Sequence, residues 1–286
     1  MKSVFTFFLL LACVSYGAPN VLRDIEYASV DGRSLKLDLH LPPTDVPLQS
    51  PLLVYIHGGA WRAGDKSDMP LGKLVAQGFA VASVDYRLST EARFPAPIHD
   101  LKAAIRFLRA EASTYHLDAT RVVVVGSSAG GHLAALVGVT NGVKELEGNV
   151  GAHLKESSAV QGIISLFGAS NLQTILAQST PKGLAMRVPA LQLLLGAQPE
   201  QVPELAKLAS PVAHVDANDP PLLLIHGDED PQMPFQQAQE LLHAYESAKL
   251  SAKLEVISHG KHGGAEFYDD PRIALMADFL RHLPHP

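Results

Sequence analysis

The sequence predicts an α/β fold, a mostly parallel, doubly wound sheet preceded by an antiparallel N-terminal hairpin. Three observations carry this. Short apolar runs recur at 52–56, 79–85, 122–125, 160–166 and 220–225, the third being four consecutive valines. Such runs read as strands buried on both faces. Segments of helical periodicity lie between them on short connections, as parallel strands require. Three of the runs end in loops rich in Gly with Ser, His or Asp, and open α/β sheets place their sites at that edge.

A chain of 286 residues, 47% hydrophobic, can bury one large core, so residues 19–286 are expected to form a single domain. The formal net charge of −6 comes from interspersed acids and bases. With no basic stripe and no polybasic patch, nucleic acid and membrane-surface partners are excluded as expectations. Residues 1–18 stand apart: Lys2, an apolar run over 4–12, then Ser15-Tyr16-Gly17. They read as a secretory signal peptide cleaved after Gly17, too short to span a bilayer stably, and no second run approaches transmembrane length. The only cysteine, Cys13, falls in that segment, so the mature chain has no disulfide. Leu10-Leu-Ala-Cys13 also resembles a bacterial lipobox, which leaves a lipid anchor through Cys13 as the alternative to a secreted or periplasmic protein.

In chain order, 25–30 and 34–41 alternate around Asp31-Gly32-Arg33, a hairpin signature. A loop over 42–51 leads to the strand 52–56. A helix is expected over 68–77, ended by Gly78, then the strand 79–85. Asp85 and Arg87 are expected to tie down the next loop by an ion pair. Ile98, Leu101, Ile105 and Leu108 mark the buried face of a helix whose Lys102, Arg106 and Arg109 would face water. After the valine strand, 133–137 begin another helix. Residues 171–216 follow the strand 160–166 with weak helical stretches, and read either as a cap over the site or as an excursion packed on its side. The strand 220–225, a helix over 235–248, a strand at 253–257 and a helix over 270–282 complete the chain.

The chemistry begins at Gly126-Ser-Ser128-Ala-Gly130. A strand that turns directly into a helix holds the central serine in a strained conformation with its Oγ clear of the sheet, and the flanking glycines permit the close approach. A hydroxyl attacks well only if a base takes its proton, a histidine can do so, and a carboxylate behind the ring sets its tautomer. Asp230 and His262 follow Ser128 in order, each in a loop past a strand end. Asp228 and Glu229 compete with Asp230, and His259 with His262. Pro231, which fixes its loop, favours Asp230, and the flanking glycines favour His262. His57-Gly-Gly59-Ala60, at the end of the strand 52–56, leaves backbone N–H groups free, so Gly59, Ala60 and Ala129 are the candidate oxyanion donors. His259-x-x-His262 has no carboxylate or cysteine at ligand spacing, so no metal and no cofactor are expected.

Taken together, Tyr55-Ile-His-Gly-Gly-Ala-Trp61, Val84-Asp-Tyr-Arg-Leu88, Phe94-Pro-Ala-Pro97, Gly126-Ser-Ser-Ala-Gly-Gly-His132, Pro220-Pro-x-x-x-x-His-Gly-x-x-Asp230 and Gly260-Lys-His-Gly-Gly264 resemble the α/β-hydrolase esterases of the hormone-sensitive-lipase and bimodular feruloyl-esterase (BD-FAE-like) type. The likeness spans about residues 22–283. It implies the α/β-hydrolase fold, Ser128, Asp230 and His262 as a triad, and an oxyanion hole from Gly59, Ala60 and Ala129. It implies a serine carboxylesterase acting on short to medium acyl esters, with acetyl or feruloyl esters of plant polysaccharides as candidates. Ala60 replaces the third glycine of the lipase-type motif, and Asn171 stands where many relatives have Asp. An aryl formamidase or amidase is the alternative enzyme, though Ala60 is not the aromatic residue that arylformamidases carry. A catalytically inactive binding module is the alternative of another class.

Overall fold

The structure, a computed structural model, describes residues 20–44 and 48–284. The expected signal segment 1–18, Cys13 with it, lies outside the described residues.

The strands β1 (Asn20–Val30) and β2 (Arg33–Leu41) pair antiparallel across Asp31 and Gly32. Both turn residues have positive φ, 51° and 81°, as the tightest hairpin turn demands. Then come β3 (Gln49–Ile56), α1 (Gly72–Ala76), β4 (Phe79–Val84), α2 (Ala96–Ala110), β5 (Val122–Ser127), α3 (Ala129–Gly138), α4 (Lys144–Glu147) and β6 (Gly162–Leu166). Three helices follow, α5 (Ile175–Gln178), α6 (Pro181–Leu195) and α7 (Pro203–Leu208). The chain closes with β7 (Leu222–Gly227), α8 (Gln236–Ser247), β8 (Ala252–Ile257) and α9 (Asp270–Arg281).

One sheet results, in the order β1-β2-β4-β3-β5-β6-β7-β8. It is antiparallel through β1, β2 and β4 and parallel from β4 to β8. The four valines of β5 show why it is apolar throughout. Val122 and Val124 enter the core layer that holds α2, α3 and α8, while Val123 and Val125 enter the layer that holds α1 and α9. Side chains alternate across a strand, so a strand covered on both faces has no polar position to spare.

Four local expectations are corrected. The helix expected over 68–77 is only Gly72–Ala76: Pro70 lacks a backbone donor, and the preceding residues are spent on turns, with Asp68 N–H donating to Asp65 O. Asp85 and Arg87 do not pair with each other. Arg87 makes a bidentate pair with the buried Asp100, and Asp85 accepts the Lys66 N–H at 2.7 Å. Lys102 and Arg106 do not face water. The Lys102 Nζ donates to Thr140 O and to Glu147 Oε1, both at 2.6 Å, and Arg106 reaches Glu147 and Val150 O, because α4 and the loop after it lie over that side of α2. Finally, 171–216 holds a 15-residue helix, α6, where only weak helical stretches were expected. Thr180 caps it by accepting the Gly183 N–H, and Gly196 ends it in the left-handed conformation.

Candidate active site

The centre of the site is the junction of β5 and α3. Ser128 sits there at φ 54° and ψ −115°, a backbone conformation that costs a non-glycine residue about 1–3 kcal/mol. Neighbours hold it in place: its N–H donates to Leu166 O at 2.9 Å and its carbonyl accepts the His132 N–H at 3.0 Å. The first turn of α3 also presses against two strand ends. A Cβ on Gly130 would overlap the Ile56 carbonyl, and one on Gly126 would overlap the Gly130 carbonyl. Only glycine permits that approach.

Asp230 and His262 arrive from the loops after β7 and β8. The Ser128 Oγ is 2.8 Å from His262 Nε2, and His262 Nδ1 is 2.6 Å from Asp230 Oδ2. Asp230 Oδ1 accepts the N–H groups of Gln232 and Met233 at 2.8 and 2.9 Å. His226 Nε2 lies 3.5 Å from Oδ2 and 3.2 Å from Met233 O. Burial alone would raise the Asp230 pKa, but hydrogen bonds from His226 and His262 outweigh it and hold the carboxyl well below the usual range. Ionised Asp230 therefore accepts a hydrogen bond from Nδ1–H, which leaves Nε2 as the acceptor for the serine hydroxyl. The Phe167 ring packs edge-on to His262 at 4.9 Å between centroids.

The competing residues form a separate surface cluster. His259, its side chain 83% exposed, bonds Glu229 at 2.6 Å, and its backbone N–H donates to Asp228. Lys261 also pairs with Glu229. The bond to Glu229 raises the His259 pKa.

Across from the imidazole runs the loop after β3. Gly59, Ala60 and Trp61 have φ of 101°, 52° and 59°, and the Gly59 carbonyl accepts from Arg62 and Ala63 at 3.1 and 3.0 Å. A Cβ on Gly59 would overlap the Ala63 carbonyl. Ala129 is the first residue of α3, so its N–H has no acceptor within the helix. Two aromatic residues tie this loop to the nucleophile helix. The buried Trp61 donates from Nε1 to His132 Nδ1 at 3.0 Å, and His132 Nε2–H donates to Ala209 O at 2.7 Å. Burial pushes the His132 pKa down to about 4, keeping the ring neutral with Nδ1 free to accept. On the other side of the loop, His57 stacks on Tyr86 at 4.5 Å.

A cavity of about 360 Å³ opens on Ser128, between Gly59, Ala60, Phe167 and His262. Met186 and Arg187 of α6 and Gln232 line it as well. Burial pulls the Arg187 guanidinium down to about 10, against the opposing pull of Asp230. Among the described residues, no group of three or more His, Cys, Asp or Glu side chains is arranged to hold a metal, and no helix is long and apolar enough to cross a membrane.

Sequence reasoning missed three contributors. His226 was visible four residues before Asp230, a spacing that brings both to one loop. The Trp61–His132 bond had only its two motifs as a hint. Arg187 carries no sequence signal, since it sits on a helix that was itself illegible.

The fold and the residues agree with known proteins. A Mycobacterium tuberculosis protein named esterase LipC is 32% identical over 213 residues, 72% of this chain and 51% of that protein. The chain thus spans about half the length of the curated relatives it matches. A solved structure described as a truncated carbohydrate esterase from gut microbiota superposes with a TM-score of 0.83 at 32% identity, covering 94% of this chain and 97% of that one. An esterase from Thermogutta terrifontis, solved with butyrate, superposes at 0.73 with 26% identity, covering 90% and 92%. The BD-FAE family model matches residues 37–245, and with these relatives it shows that the chain belongs to the BD-FAE family of α/β-hydrolases.

Proposed function

We propose that the chain is a serine carboxylic-ester hydrolase working through an acyl-enzyme on Ser128. The observation that carries this reading is the continuous hydrogen-bonded line from Ser128 Oγ through His262 to Asp230, at the wall of an open cavity. In the first half-reaction the Ser128 oxygen attacks the ester carbonyl as its proton passes to His262 Nε2. The carbonyl oxygen becomes an oxyanion, received by the N–H groups of Ala129 and of Gly59 and Ala60, each donor worth roughly 3–4 kcal/mol. Asp230 stabilises the imidazolium, which then gives its proton to the departing alcohol. Water, deprotonated by the same ring, releases the acid and restores Ser128. His226, 3.5 Å from Oδ2, supports the sequence by helping to keep Asp230 ionised.

The cavity's size suits short to medium acyl groups, being near the lower end of the roughly 300–1,000 Å³ typical of ligand sites. Acetyl or feruloyl esters of plant polysaccharides are proposed substrates, supported by the carbohydrate-esterase likeness. In this reading the mature chain is one domain exported by its signal segment, and 171–216 acts as a cap through α6.

The test is an acyl series of p-nitrophenyl esters from acetate to laurate, with methyl ferulate and an aryl formamide, run beside Ser128→Ala. Turnover should peak among the shorter esters and fall to background in the variant. Faster cleavage of the formamide would make the chain an amidase, and no turnover of any ester would overturn the reading.

A further inference from the structure

Arg187 is placed where an arginine is hard to keep. It is 1% exposed, on α6, and it lines the cavity that opens on Ser128. Its Nε donates to Gln232 O at 3.3 Å, and its guanidinium carbon lies 5.9 Å from the Trp61 ring centroid. Its Nη1 is buried with no hydrogen-bond partner among the described residues. No described carboxylate forms an ion pair with it: Asp230 is already engaged by His262, Gln232 and Met233. A second guanidinium lines the same cavity. Arg62 makes one described side-chain hydrogen bond, from Nη2 to the weak acceptor Met186 Sδ at 3.6 Å.

Two cations thus line one cavity whose wall holds no acid, and Asp230, close enough to attract Arg187, makes no ion pair with it. Buried charges are normally paired, because taking them out of water is costly. A guanidinium left with an unused donor beside a reacting centre fits a partner that arrives with the substrate. The planar fork matches a carboxylate, with two parallel N–H···O bonds available.

We propose that Arg187, with Arg62 beside it, is a specificity-determining anion subsite, and that the preferred ester carries a carboxylate close to its scissile carbonyl. The inference rests on the serine-esterase reading and deepens it. Two sources share this chemistry. The carboxylate can be the far end of a dicarboxylic acyl group, or it can belong to a uronate sugar whose hydroxyl is acylated.

The experiment compares matched pairs under one set of conditions. The first pair is p-nitrophenyl hexanoate and mono-p-nitrophenyl adipate, and the second is O-acetylated methyl galactoside and O-acetylated methyl galacturonoside with its carboxylate free. In the wild type, the anionic member of at least one pair should have a kcat/KM tenfold or more above its neutral partner, mostly through KM, and the pair that responds identifies the source. Arg187→Met should bring the ratio near one, Arg187→Lys should restore part of it, and Arg62→Gln should lower it by a smaller factor. Free adipate or methyl galacturonoside should also inhibit neutral-ester hydrolysis more strongly than its uncharged analogue. This measurement needs no variant and decides the matter if Arg187→Met does not fold. Neutral esters cleaved as fast as anionic ones in both pairs, or Arg187→Met slowing both members equally, would overturn the subsite and leave the esterase reading intact. Failure to cleave any ester would overturn both.

Discussion

At the residue scale, the division of labour between two histidines only three residues apart is decided by their partners. His262 faces Ser128 and Asp230, whereas His259 faces Glu229 in solvent. His262→Ala is therefore expected to lower kcat for a p-nitrophenyl ester by roughly 10⁴-fold or more, with His259→Ala staying within about twofold. Asp230→Asn keeps the shape but presents a donor where Nδ1–H needs an acceptor, and should cost on the order of 10⁴ in kcat. Asp230 rather than Asp228 stands behind His262, with Oδ1 meeting two backbone N–H groups, and Pro231 beside it was the sequence feature that favoured it. Arg87 was misread for the opposite reason. Its partner, Asp100, lies on the next helix, and nothing local distinguishes that acid from the nearer Asp85.

At the scale of elements, α3 is both the nucleophile's platform and a strut. Its glycines let it dock on the strand ends, so Gly130→Ala should destabilise the fold by about 3 kcal/mol or more, or prevent folding. Gly72→Ala is the control: nothing lies within 4 Å of the added Cβ, and a helical glycine replaced by alanine should gain up to about 1 kcal/mol in urea unfolding. His132 joins α3 to the oxyanion loop and is neutral in the fold, its pKa near 4 against about 6.5 in the unfolded chain. A base with a depressed folded pKa stabilises fully above its unfolded value and loses that contribution as pH falls. Wild-type stability should therefore drop between pH 6.5 and pH 4 by roughly 3 kcal/mol more than that of His132→Gln, measured by urea unfolding at each pH. The strands were readable because burial on both faces leaves a continuous apolar run. α6 was not, because Pro189 interrupts its interior and Lys182, Arg187 and Gln192 break any single apolar stripe.

Across the whole molecule, the sheet's parallel half carries every candidate catalytic side chain at its C-terminal edge, and ionic clusters fasten the outer layers. Lys102, Arg106 and Glu147 bind α2 to α4, away from the residues that line the cavity. Their burial escaped sequence reasoning because the compensating acid is about 40 residues further on, and a cation on the polar face of a helix ordinarily meets water. Glu147→Gln leaves the buried Lys102 without its counter-charge, and should lower unfolding free energy by at least about 2 kcal/mol while ester turnover changes less than twofold.

Whether Ser128 is a nucleophile activated by His262 is decided by stoichiometric labelling with an organophosphate, read by intact mass and peptide mapping. One adduct per chain is expected, on Ser128, absent in Ser128→Ala and formed at least about 10³-fold more slowly in His262→Ala. An adduct on another residue, or ester turnover that survives in Ser128→Ala, would contradict it.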